Sequence, residues 1–125
     1  MTANYRNDAV YSKLEKIVVN AGVKIYYKKV HDDTIDGAIW ARSDSESRTI
    51  LMPDTDVFPD EETACVILGH EMGHILTGLD SPDDPCQRRI NEETCDLIGA
   101  LLYKLAVLSA EYAADESFRQ AIVQE

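Results

Sequence analysis

No stretch of the sequence stays apolar for long enough to cross a membrane. The opening residues, Met1 to Asn7, are polar where a secretory leader would carry an apolar core. Both absences point to a cytoplasmic protein. Basic residues are scarce: 12 Lys and Arg stand against 23 Asp and Glu, for a formal net charge of −11. A surface this acidic repels a phosphate backbone, which argues against direct binding to nucleic acid; a basic protein partner is compatible with it, and solubility alone would also explain it. Cysteine is scarce as well. Cys65, Cys86 and Cys95 are an odd number with no C-x-x-C pair, so neither a disulfide framework nor a Cys-type structural zinc site is expected. Cys65 and Cys95 fall at core-like positions of expected helices and read as reduced, buried thiols. Repeats and low-complexity tracts are also missing, and 125 residues make one domain, 1–125, with room for a core but not for two.

The chain reads as α+β. Val10, Leu14, Ile17 and Val18 recur at helical spacing and predict a helix over about 7–20, ended by Gly22. Residues 23–30, rich in β-branched and aromatic side chains, predict a strand. A turn at 31–37, a short strand at 38–41, a polar hairpin loop at 43–47 and a strand at 48–52 stopped by Pro53 complete a small three-stranded antiparallel sheet. Pro59, followed by Asp60, Glu61 and Glu62, suits the start of a helix running to Thr77 and ended by Gly78. Cys65, Leu68, Gly69, Met72, Ile75 and Leu76 form its expected core stripe. After a turn-rich linker at 79–85, a further helix spans about 87–108, with Ile90, Leu97, Ile98, Leu101, Leu102 and Leu105 apolar, and a final helical segment covers 110–123.

Within the central helix lies His70-Glu71-Met72-Gly73-His74, an H-E-x-x-H motif. Histidines four apart share one helical face and can hold a single Zn²⁺, and the intervening glutamate can reach a water on the open side of the metal. Gly73, costly in a helix interior by about 1 kcal/mol relative to alanine, suggests that another backbone passes close by. A catalytic zinc needs a third protein ligand. Glu92, eighteen residues after His74 across a turn, can supply it if the chain returns antiparallel. Asp96, one turn further on the same face, can hold the outer nitrogen of a ligand histidine. Glu93 is the rival ligand; it projects about 100° away and has no carboxylate one turn on. Cys86 is the one thiol placed to close the site as a fourth ligand.

With His70-Glu71-x-x-His74 followed by Asn91-Glu92-x-x-x-Asp96, the chain resembles the gluzincin metallopeptidases. Over residues 5–105 its layout is similar to the ImmA/IrrE family of small gluzincin-like proteins. Cys95 and Gly99 stand where that family has small residues, and Ile98 where it has an aromatic one. The resemblance implies a minimal zincin-like core in which His70, His74 and Glu92 bind zinc, Glu71 is the general base and Asp96 orients a ligand histidine. It implies hydrolysis of a peptide bond in a specific protein, such as a separately encoded repressor or other regulator. It also implies that the strand at 48–52 is the sheet edge along which the peptide lies. No helix-turn-helix segment is evident. The oxyanion stabiliser of larger gluzincins has no assigned counterpart; His31, Tyr26, Tyr27, Tyr103 and Tyr112 are the residues available. The alternative is a zinc-binding regulatory or sensor module that acts by protein–protein contact and cuts nothing.

Overall fold

Asp8 starts the first helix. Its carboxylate accepts from the N–H groups of Val10 at 3.1 Å and Tyr11 at 3.0 Å, satisfying two donors that a helix start leaves orphaned. The helix that follows, α1 (Ala9–Asn20), buries Tyr11, Leu14 and Val18, with Val10 and Ile17 packed at the margin of the core. The structure, a computed structural model, describes residues 5–28, 41–53, 58, 60–80 and 82–123, with 113–123 as backbone only.

Three strands follow: β1 (Lys24–Lys28), β2 (Arg42–Asp44) and β3 (Thr49–Pro53). Their order in the sheet is β1-β3-β2. β2 pairs antiparallel with β3, while β1 pairs parallel with it, Lys24 opposite Thr49 through Lys28 opposite Pro53. The sheet is therefore mixed, which corrects the expected all-antiparallel arrangement. The reason lies in the connection: twenty residues separate β1 from β3, enough for the crossover that parallel neighbours require. Two further corrections follow. β2 takes Ser43 and Asp44 from the hairpin loop expected at 43–47, leaving the turn at 45–48, and Ala41, the described part of the strand expected at 38–41, precedes it. β3 is the central strand and not an edge. With partners on both sides it buries Ile50, Met52 and Pro53. The expected turn at 31–37 and residues 38–40 lie outside the described residues.

The second helix, α2 (Glu61–Thr77), runs within one or two residues of expectation. Asp60 caps it by accepting from the Thr63 N–H at 2.8 Å, and Gly78 ends it in the left-handed conformation, φ 72°. Cys65, Leu68, Gly69, Met72 and Ile75 are buried as the pattern implied; Leu76 is exposed. A fully buried leucine or methionine of this kind is worth about 1.5–3 kcal/mol. The expected break between 108 and 110 is absent. A single helix, α3 (Pro85–Val123), covers both segments in 39 residues, since no Gly or Pro lies between Gly99 and its end to stop it.

α2 and α3 cross backbone to backbone. A Cβ on Gly69 would lie 2.7 Å from the Gly99 Cα, and one on Gly99 would lie 2.8 Å from the His70 backbone nitrogen. Four residues along, a Cβ on Gly73 would meet the Cys95 Cα at 3.1 Å. This close crossing is the reason a glycine stands beside each histidine of the motif, and it brings the first turns of α3 against the C-terminal half of α2. Among the described residues, no helix is long and apolar enough to cross a membrane.

Candidate metal centre

The crossing sets Glu92 of α3 against the two histidines of α2. Glu92 straddles them, with Oε2 2.9 Å from His70 Nε2 and Oε1 3.4 Å from His74 Nε2. The two Nε2 atoms are 3.2 Å apart. His70, His74 and Glu92 are thus a group that could hold a metal ion. Metal bonds of about 2.0–2.1 Å in a tetrahedral shell put ligand atoms about 3.3–3.4 Å from one another. The three observed separations bracket that spacing.

The outer ring nitrogens sharpen the point. His70 Nδ1 is 2.8 Å from Asp96 Oδ1, and His74 Nδ1 is 2.6 Å from the Leu79 carbonyl oxygen. A carboxylate and a carbonyl only accept, so each Nδ1 carries the proton and donates it. In the neutral imidazole each Nε2 then keeps its lone pair. Two such nitrogens and the Glu92 carboxylate converge, a group that could hold a metal ion. The Leu79 carbonyl is in place because Gly78 turns the chain directly after α2. The Asn91 amide nitrogen holds the same loop by donating to the Asp80 carbonyl at 3.0 Å. Asp96→Asn is expected to weaken metal binding by about tenfold, the lower end of the range for partners of ligand histidines, because the Asp96 side chain is 67% exposed. A competitive metal titration checks it.

Glu71, next to His70, faces the same cleft. The Ser43 hydroxyl of β2 donates to its Oε1 at 2.7 Å, so the edge strand of the sheet holds the glutamate of the motif. The cleft has a volume of about 620 Å³; Ala41, Arg42 and Ser43 line it from the strand side, and Val66, Ile67 and Asp80 line it beside the metal group.

The residues singled out from sequence separate cleanly. His70, Glu71, His74, Glu92 and Asp96 come together. Glu93 does not join them; Arg89 donates to its Oε1 at 3.0 Å on an exposed surface. Cys86 is exposed and stays outside the group, while Cys65 and Cys95 are buried, free thiols. Burial, then the neighbouring Glu92 charge, pushes the Cys95 thiol up, which keeps it in the protonated form that ligates metals poorly. Tyr27 is engaged elsewhere: its hydroxyl donates to Glu15 and lies 2.8 Å from that of Tyr11, and burial raises both phenols. Tyr103 packs against the core, Tyr26 and Tyr112 are exposed, and none of these tyrosines lines the cleft. His31 lies outside the described residues. Ser43 and Arg42 carry no sequence signal for this role, because Ser43 opens a polar run, 43–47, with the composition of a loop, and Arg42 adjoins it. Pairing with β3, Arg42 opposite Leu51 and Asp44 opposite Thr49, makes 42–44 a strand. Compared with known protein families, with curated proteins and with solved structures, the chain matches none.

Proposed function

We propose that this chain is a zinc-dependent metallopeptidase that hydrolyses a peptide bond in a specific protein substrate, a transcriptional repressor or other regulator. The observation that carries the reading is the convergence of two histidine lone pairs and the Glu92 carboxylate beside Glu71, a glutamate held at an open cleft. Two imidazole nitrogens and one carboxylate are the donor set of catalytic zinc sites. Zinc bound there would lower the pKa of a water toward neutrality and polarise a carbonyl. The protein's own residues do the rest. Glu71 takes a proton from the attacking water and passes it to the departing amine. The Ser43 hydroxyl aims the Glu71 carboxylate into the cleft. Leu79 and Asp96 hold the ligand imidazoles in one tautomer. β2 pairs with β3 on one side only among the described residues. A substrate peptide can therefore add to its other side as an extended strand, using main-chain hydrogen bonds, and lie across the mouth of the cleft. The edge strand assigned to this task from sequence was the one at 48–52; β2 replaces it here.

A purely structural zinc site is closed by a fourth protein ligand. Among the described residues none joins His70, His74 and Glu92, and this favours a hydrolase over a sensor module. The test is cleavage of a proteome-derived peptide library, read by mass spectrometry, with chain stripped by a chelator and then reloaded with one equivalent of Zn²⁺. Cleavage within a restricted set of sequences, lost on stripping and restored on reloading, is expected. A reloaded, folded chain that cuts no peptide in the library and no co-encoded regulator would sink the peptidase reading.

A further inference from the structure

α3 has a second face that the site does not use. Cys95, Gly99 and Ala106 turn one side of the helix into the protein. The opposite side is not the polar surface that a solvated helix presents. At 100° per residue, Ile90, Leu97, Leu101, Leu105, Leu108 and Tyr112 fall in one stripe roughly 80° wide and about 33 Å long. All six are exposed, from 49% for Leu108 to 64% for Tyr112. Single exposed apolar residues are ordinary, but six large ones in one stripe, with Thr94 alone between Ile90 and Leu97, mark an interaction surface.

The charges beside the stripe identify what fits it. Between residues 87 and 112 one edge carries Arg89, Glu93, Lys104 and Glu111, while the other carries Gln87, Ile98 and Ser109 and no charge. Two copies packed antiparallel lay charged edge on charged edge; packed parallel, they would lay the charged edge on the neutral one. About a two-fold axis beside residue 99, Arg89 faces Glu111 of the second copy and Glu93 faces its Lys104. The two pairs repeat by symmetry, every one of opposite sign. The same register sets Leu97 on Leu101 of the second copy. A stripe complementary to itself under one two-fold rotation is the property of an isologous interface. Glu92 projects from the far side of α3, so the contact leaves the metal cleft open, and the inference does not depend on what that cleft does.

We propose that the chain forms an antiparallel two-fold dimer through the outward stripe of α3. Sedimentation equilibrium of the full chain between 1 and 100 μM should give roughly twice the 14.0 kDa chain mass. Leu101→Glu is expected to weaken association at least about a hundredfold while far-UV circular dichroism and metal stoichiometry stay unchanged. Should that variant fail to fold, Leu97→Gln and Lys104→Glu carry the same test. They should weaken association roughly tenfold and threefold respectively. Orientation is read in a Cys86→Ser background. Chains bearing Arg89→Cys should form an interchain disulfide with chains bearing Glu111→Cys, and Arg89→Cys alone should form none. A monomer at 100 μM, a dimer indifferent to the stripe variants, or ready crosslinking of Arg89→Cys to itself would overturn the proposal.

Discussion

Glu71→Gln is expected to bind metal as tightly as the parent chain and to cleave its substrate about a thousandfold more slowly. Glutamine keeps the shape of glutamate and can still hydrogen-bond the Ser43 hydroxyl, which lies 2.7 Å from Oε1. It cannot take a proton from water near neutral pH. The group that could hold the metal, His70, His74 and Glu92, is untouched. Metal content and thermal stability should therefore stay level while turnover falls, a separation that only a proton-transfer role produces. Steady-state cleavage of the best library peptide, with metal content measured on the same samples, decides the matter. Equal cleavage by variant and parent would remove Glu71 from the chemistry. Loss of metal together with activity would make it a structural residue instead.

The second large effect concerns the helix crossing. Gly99→Ala would normally stabilise a helix interior by about 1 kcal/mol. Here the added methyl would sit 2.8 Å from the His70 backbone nitrogen and 2.9 Å from the Val66 carbonyl oxygen. These are main-chain atoms in mid-helix and cannot rotate aside, so α2 and α3 must move apart. Overpacking against main-chain atoms falls at the upper end of the usual range, about 3 kcal/mol, so the net loss of about 2 kcal/mol should lower Tm by roughly 5–10 °C. Glu92 lies two turns before Gly99 on the same face of α3, so the separation also draws its carboxylate away from the imidazoles. Metal affinity should fall by at least about tenfold. Differential scanning calorimetry with and without metal measures both. A variant as stable as the parent would mean that the helices do not meet at these glycines.

What the sequence made legible follows from how local each signal is. The H-E-x-x-H pair and its glutamate sit within one helical turn, so 3.6-residue geometry alone puts the two histidines together. Glu92 and Asp96 needed one further step, an antiparallel return through the loop after Gly78, and their four-residue spacing tied the second to the first. The close approach at Gly73 could be inferred because glycine is costly in a helix and calls for a compensating contact. The sheet was less legible. Its β1–β3 pairing joins residues about twenty-five positions apart, and nothing in either strand's composition distinguishes a parallel partner from an antiparallel one. β2 is three residues long and mostly polar, which hid both the strand and the Ser43 contact with Glu71. The outward stripe of α3 was visible as apolar periodicity. Periodicity alone does not say which of two apolar faces turns inward, and Ile90, Leu97, Leu101 and Leu105 prove to face out.

Competitive zinc titration of three proteins tests the proposed three-ligand metal centre. The parent chain should bind one Zn²⁺ tightly. Glu92→Gln, which removes a ligand, should weaken binding by at least about a hundredfold. Glu93→Gln, which removes only an exposed partner of Arg89, should match the parent within about twofold. A parent chain that binds no stoichiometric zinc, or a set in which Glu93→Gln loses the metal and Glu92→Gln keeps it, would rule out a centre built on His70, His74 and Glu92.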